Sequence, residues 1–424
     1  MKKIMKLFAM LFAVLTMVFA LNSCEKDEEP SELKLVSLVV GTVDLNAATS
    51  ASGVPVSPSI VATFNTNVDA ATATSANITL VQEYDDTPFT LDITVSGKTV
   101  TITPTETLGT GTLYELGIAA GLMSDAGKSL TALTRTFTTE GTFAPAGVIA
   151  HWNFENNADD VAGSFDPPAS GVVAITYTDS RNAAAGKAAT FDGDASIIEI
   201  PNADQLINTT DFTISFWVKT NSNGHVNADG NPTGHFVLGL GAFFGIQFEI
   251  FGGYDGAKFA IQYELEDGTT RAEDMWFPSN ATDANTGGWQ GWDFAKSVAP
   301  EVMVSMLKDN WLNVVYTFDG ADKRGTLYYN GEKMKSFDFD LWPEGDAKRT
   351  VVGMKYGGSE PDVVNELALG FVHSRAGKLW DAEPWGGYDF PTANHFKGQL
   401  DDLRIFHKPL TATEILLMYN SEKP

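Results

Sequence analysis

Residues 189–220, ATFDGDASIIEIPNADQLINTTDFTISFWVKT, restrict the fold of this chain more than any other stretch. Asp192-Gly193 is a turn signal, and the β-branched run at 195–200 that follows it stops at Pro201. From Phe212 to Val218 the residues alternate, with Phe212, Ile214, Phe216 and Val218 on one face and Thr213, Ser215 and Trp217 on the other. Both runs read as strands. Their second faces are also partly apolar, which predicts strands covered on both sides, as in two stacked antiparallel sheets.

The wording of this stretch resembles the LamG-like, concanavalin A-like jelly-roll family: FDG, a hydrophobic strand ending in Pro, then FTISFWVK. Four further phrases are similar to the family's and occur in its order. IAHWNFE at 149–155 is similar to its first strand, WLNVVYT at 311–317 and TLYYNG at 326–331 to its middle strands, and GQLDDLRIF at 398–406 to its last. Asn330-Gly331 carries a physical warrant of its own, because a type I′ hairpin turn needs positive φ at both central residues. After the last strand, Thr411-Ala412-Thr413-Glu414 forms a capping box before Ile415, Leu416 and Tyr419, predicting a short terminal helix on the sandwich.

The N-terminus reads as a targeting segment. Lys2, Lys3 and Lys6 precede an apolar run at 7–21, too short to span a membrane comfortably. Leu21-Asn22-Ser23-Cys24 resembles a bacterial lipobox, which implies a signal peptide at 1–23 and a lipid on Cys24, the one cysteine in the chain. The acidic linker at 24–32, with Glu25-Lys26-Asp27-Glu28-Glu29, resembles the export signal of Bacteroidetes-type surface lipoproteins; the alternative is a solvated linker. The resemblance implies an outer-membrane protein facing the cell exterior.

Residues 33–140 carry short strands at 59–64, 77–82, 91–95, 99–103 and 113–118, the spacing of a β-sandwich. With VPVSP at 54–58 and RTFTTE at 135–140 the segment resembles a bacterial Ig-like domain. It holds no His or Trp and reads as a spacer. GTFAPAG at 141–147 is the linker, and 148–424 the second domain, so the expected fold is all-β: an Ig-like sandwich followed by a concanavalin A-like jelly roll with long insertions.

Two segments, 221–309 and 338–396, depart from the compact family pattern and read as insertions. They contain Trp276, Trp289, Trp292, Trp342, Trp380 and Trp385, six of the nine tryptophans, along with Tyr388. Sugars present apolar C–H faces edged by hydroxyls, so a binding site needs flat aromatic surfaces beside amides and carboxylates. Trp289-Gln290-Gly291-Trp292-Asp293 and Trp380-Asp381-Ala382-Glu383-Pro384-Trp385 supply both. Each Trp has a competing role as satellite core under a long loop.

The net charge of −26 argues against nucleic acid as a partner, since no basic patch is available for phosphates. The family resemblance implies that a hydrolase would carry a Glu-x-Asp-x-(x)-Glu strand motif; Glu360-Pro361-Asp362-Val363-Val364-Asn365-Glu366 is one residue too long for it, and its Pro denies the strand a ladder bond. A carboxylate pair assembled from distant loops is beyond sequence reading. The family resemblance implies one structural Ca2+ between the first and last strands, on Glu155 and Asp401 with Asp192 nearby; surface or turn carboxylates are the competing reading. Asn227-Ala228-Asp229-Gly230-Asn231 alternates oxygen side chains but lacks the following Glu of a calcium loop. The expectation is a surface lipoprotein that binds a polysaccharide without cleaving it, beside a glycan importer complex. The alternatives are an adhesin for a host protein and a glycosidase.

Overall fold

The computed structural model describes residues 32–278 and 292–424, so Cys24 and Trp289 lie outside the described residues. The chain divides into two compact units between Gly141 and Thr142. No helix among the described residues is long and apolar enough to cross a membrane.

The N-terminal unit contains β1 (Leu35–Val40), β2 (Val43–Asp44), β3 (Ala51–Val54), β4 (Ile60–Phe64), β5 (Ile78–Gln82), β6 (Leu91–Ser96), β7 (Thr99–Pro104), β8 (Leu113–Ile118) and β9 (Leu133–Thr139). They form two sheets, β2-β1-β4-β7-β6 and β3-β9-β8-β5. Period-two alternation builds the core between them. Val100 and Ile102 point inward from β7, and Tyr114, Leu116 and Ile118 from β8, while Thr99, Thr101 and Thr103 of β7 and Glu115 of β8 lie on the other face.

The C-terminal unit opens with β10 (Val148–Trp152), β11 (Val172–Val173), β12 (Thr176–Asp179), β13 (Lys187–Asp192), β14 (Ile197–Ile200), helix α1 (Asp204–Ile207) and β15 (Phe212–Thr220). Then come β16 (His235–Leu240), β17 (Ile246–Ile250), β18 (Ala257–Leu265), β19 (Thr270–Phe277), β20 (Trp292–Ala295) and α2 (Pro300–Leu307). It closes with β21 (Leu312–Asp319), β22 (Arg324–Tyr329), β23 (Glu332–Asp338), β24 (Val351–Met354), β25 (Leu367–Leu369), β26 (Lys397–Phe406) and α3 (Ala412–Glu422).

One sheet runs β12-β13-β26-β15-β21-β22-β23-β20, with β10 also on β26; the facing sheet runs β11-β14-β25-β16-β17-β18-β19, with β24 on β18. Phe212, Ile214, Phe216 and Val218 meet Phe248, Phe259 and Ile261 between the sheets, with Phe216 and Phe248 centroids 5.3 Å apart. The Asn330-Gly331 turn has φ of 51° and 77°, as its hairpin requires.

Two expectations change. The second face of β15 is covered by α3, not by a sheet. Trp217 stacks on Tyr419 at 5.8 Å, and its indole N–H donates to Glu422 at 2.9 Å. The capping box forms at Thr411 and Glu414, but Leu416 points to solvent while Ile415 and Met418 are buried. Secondly, 221–309 is no insertion: it supplies β16, β17, β18 and β19, four strands of the facing sheet. Ile246, Phe248 and Ile250 point into the core with Gln247 and Glu249 between them on the outer face, the period of an ordinary half-covered strand. Of 338–396, β24 and β25 belong to the same sheet, and 370–396 is a long loop.

Candidate functional site

The outer face of the facing sheet is apolar on one half and polar on the other, and the loop at 370–396 follows that division. It lies over β14, β25 and β16, closing a small core of Ile197, Phe236, Ala368, Phe371 and Val372. The approach is close enough that a Cβ at Gly239 on β16 would come within 1.9 Å of the Val372 carbonyl oxygen. Glycine is required there because the loop occupies the space of a side chain. Backbone bonds from Phe236 N–H to Asn394 O (2.8 Å) and from Gly370 N–H to Val237 O (2.8 Å) seat it.

The loop stops short of β17, β18 and β19, and its edge becomes the wall of a cleft of about 720 Å³ over their exposed faces. Trp380 and Trp385 form that wall, their rings 4.9 Å apart and tilted 51°. Phe243 lies 6.1 Å from Trp380, and Phe236 lies 6.3 Å from Trp385. Trp380 has φ of +62°, a conformation that costs a non-glycine residue about 1–3 kcal/mol and is held by Glu383 N–H donating to its carbonyl at 2.8 Å. Trp385 is 41% exposed. Phe251 closes the far side and packs on Trp276 at 5.1 Å.

Strand register lays out the floor. Glu249, Lys258 and Trp276 stand opposite one another across β17, β18 and β19, and Gln247, Ala260 and Asp274 form the next row. The Lys258 ammonium lies 3.7 Å from Glu249, 3.5 Å from Asp274 and 5.5 Å from the centre of the Trp276 ring. Gln247 donates its amide to Glu249 at 2.6 Å, while its own carbonyl oxygen, buried, has no partner among the described residues. Burial pushes the Glu249 carboxyl up against the pull of Lys258, and Asp274 adds to the rise.

The tryptophans expected to act together separate into groups. Trp380 and Trp385 meet in the cleft, and Trp276 adjoins its floor through Phe251 and Lys258. Tyr388, on the loop, packs against the small core beneath it and donates its hydroxyl to Ala195 O at 2.7 Å. Trp342, 6% exposed, stacks flat on Phe339 at 4.6 Å inside the core and is no ligand platform. Trp292 packs against the same core from β20, on the other sheet. Asp293 beside it is bound by Arg324 and Ser336; burial opposes its ionisation, but those two partners outweigh burial and hold its carboxyl below the usual value. The cleft-lining residues that the sequence reading missed are Gln247, Glu249, Lys258, Phe251 and Asp274. All but Phe251 are outward positions of alternating strands, a signal present in the chain but hidden when 221–309 is read as loop.

Glu155 and Asp401, the carboxylates implied to hold a calcium ion, and Asp192 nearby each have protein partners. Glu155 accepts from Lys187 N–H at the start of β13, and Asp192 ends that strand five residues on, about 16 Å away at a rise of about 3.3 Å per residue. One ion cannot span that distance. Asp192 accepts from the N–H groups of Asp194, Ala195 and Ser196. Asp401 is bound by Ser180 and by Arg181, whose guanidinium also reaches Asp402 and lies 3.6 Å from Glu422. Burial and the adjacent Asp402 raise the Asp401 carboxyl; Asp402 is lowered because Arg404, His151 and Arg181 outweigh its burial. The Asn227 loop is an Asx turn, its side-chain oxygen accepting from Asp229 and Asn231 at 3.1 and 3.0 Å.

Comparison with known proteins agrees with the architecture. Residues 41–139 match the family described as bacterial Ig-like domain, and residues 192–363 match the concanavalin A-like lectin/glucanases superfamily. The chain is thus an all-β sandwich protein, a bacterial Ig-like domain followed by a concanavalin A-like domain. No curated protein matches it. Among solved structures, the binding domain of Paraclostridial Mosquitocidal Protein 1 is similar at 14% identity and a TM-score of 0.40, covering 65% of this chain and 52% of its own. The botulinum neurotoxin serotype D ligand binding domain, in complex with N-acetylneuraminic acid, is 13% identical at a TM-score of 0.39, covering 65% and 51%. Domain 4 of a GH43 extracellular arabinanase from Geobacillus stearothermophilus, in complex with arabinotriose, is 18% identical at a TM-score of 0.36, covering 65% and 100%. This chain spans about half the length of the toxin domains it matches.

Proposed function

We propose that the C-terminal domain binds an oligosaccharide or polysaccharide in the cleft above β17, β18 and β19, without cleaving it. The observation that carries this is the Trp380–Trp385 pair, Trp385 exposed and Trp380 half-buried, beside an open polar floor. The indoles offer apolar surface to sugar C–H faces, and the floor offers hydrogen-bonding groups to the hydroxyls. The match to the lectin/glucanases superfamily supports the same reading.

The test is retardation of the protein in native gels containing a panel of plant, algal, fungal and host polysaccharides. The expected result is retardation by at least one glycan, weakened tenfold or more by Trp380→Ala or Trp385→Ala, with no reducing ends released. Retardation that survives both substitutions would place the site elsewhere. Released reducing ends would make the protein a glycosidase.

The same reading puts the binding domain at the cell surface, tethered through a lipid on Cys24 and held outward by the Ig-like domain, passing glycan to an importer. The lipobox resemblance and the acidic run after it support this anchor. Metabolic labelling with a radioactive fatty acid should mark the wild-type protein and not Cys24→Ser.

A further inference from the structure

We infer that the cleft selects uncharged, hydroxyl-rich glycans over carboxylated ones, with Gln247 receiving a ligand hydroxyl; this rests on the glycan-binding reading above. The argument comes from the partners already taken on the floor. Its three charged side chains in contact are Glu249, Lys258 and Asp274, two carboxylates sharing one ammonium. The ammonium lies between both anions and over the Trp276 ring. A uronic or sialic acid carboxylate entering here would face two like charges with the nearest cation already shared. The other lysine in the cleft, Lys348, is paired with Glu273.

Gln247 supplies the positive half of the selection. It is 2% exposed, lines the cleft, and gives an amide proton to Glu249, yet its carbonyl oxygen accepts from no group among the described residues. A buried acceptor left alone is unfavourable, and a donor arriving from the cleft removes that cost. A sugar hydroxyl turned to Gln247 brings such a donor, whereas a carboxylate group in the same position brings none. Sites built on unmet hydrogen-bonding groups discriminate strongly against ligands that cannot meet them.

The experiment compares neutral polysaccharides (arabinan, galactan, mannan, xylan) with acidic ones (polygalacturonate, alginate) by affinity electrophoresis of the full chain at physiological ionic strength. Neutral glycans should retard the wild type and acidic ones should not. Gln247→Met, which keeps the volume and removes the acceptor together with the amide that donates to Glu249, should weaken retention by neutral glycan about fivefold to tenfold. Its melting temperature should change little, since removing an unmet buried acceptor offsets the lost bond to Glu249, and a merely structural glutamine would not combine that with lost binding. Glu249→Gln with Asp274→Asn, leaving Lys258 the sole charge among the three, should gain salt-sensitive retention by polygalacturonate. Wild-type retention by acidic glycans as strong as by neutral ones, or unchanged binding in Gln247→Met, overturns the inference and leaves glycan binding standing. Retention by neither class overturns both.

Discussion

Side chains of the same type do opposite work in this protein, and the difference lies in what covers them. Trp342 and Trp385 both fall between Asp338 and Phe396, yet one is 6% exposed and the other 41%. Trp342→Ala removes a ring stacked on Phe339 and edge-on to Phe337 at 5.4 Å, so it should lower unfolding free energy by about 3–5 kcal/mol. Trp385→Ala should change it by less than about 1 kcal/mol while abolishing most glycan retention. Denaturant unfolding of the two variants checks both. Equal losses would mean that Trp385 is also a core residue.

Among the elements, α3 is the clearest case of one held by chemistry from several others. Glu422 at its end accepts from the Trp217 indole at 2.9 Å, pairs with Arg404 at 2.8 Å, and lies 3.6 Å from Arg181. Glu422→Ala leaves two buried guanidinium groups short of a counter-charge and should cost about 3 kcal/mol. Glu422→Gln keeps an acceptor for the indole and should cost less; a thermal melt of each checks the order. That α3 would exist was legible from Thr411 and Glu414 alone, because capping is a local bond between residues three apart. That it would cover Trp217, more than two hundred residues earlier, was not.

At the scale of the C-terminal unit, buried imidazoles tie stability to pH. His225 and His235 stack 4.1 Å apart, and His235 meets the Tyr254 hydroxyl at 3.0 Å. Burial, then His225 and Lys397, holds His235 well below its ordinary 6.5; burial also lowers His225. A depressed folded-state value means the unfolded chain binds the extra protons. Stability is therefore full above pH 6.5 and falls as pH drops below it, by at most about 1.4 kcal/mol per pH unit for each histidine. Melting temperatures between pH 7.5 and 5.5 should show the decline, and His225→Gln with His235→Gln should flatten it. A slope untouched by that pair would assign the proton uptake to other groups.

What the sequence determined by itself was everything set by near neighbours: alternation in 212–218, the positive-φ turn at Asn330-Gly331, the cap at Thr411, and the order of family phrases that identified both sandwiches. Tertiary structure alone decided where the cleft is. Its wall and floor come from Trp380 and Gln247, well over a hundred residues apart, brought together because the loop at 370–396 covers the apolar half of one sheet face and stops at the polar half. Residues 221–309 carried the necessary alternation, but a strand's outer face reads the same whether it meets solvent, a ligand or a covering loop. Local pattern encodes which side of a strand is polar; only the packed chain decides which polar side remains open.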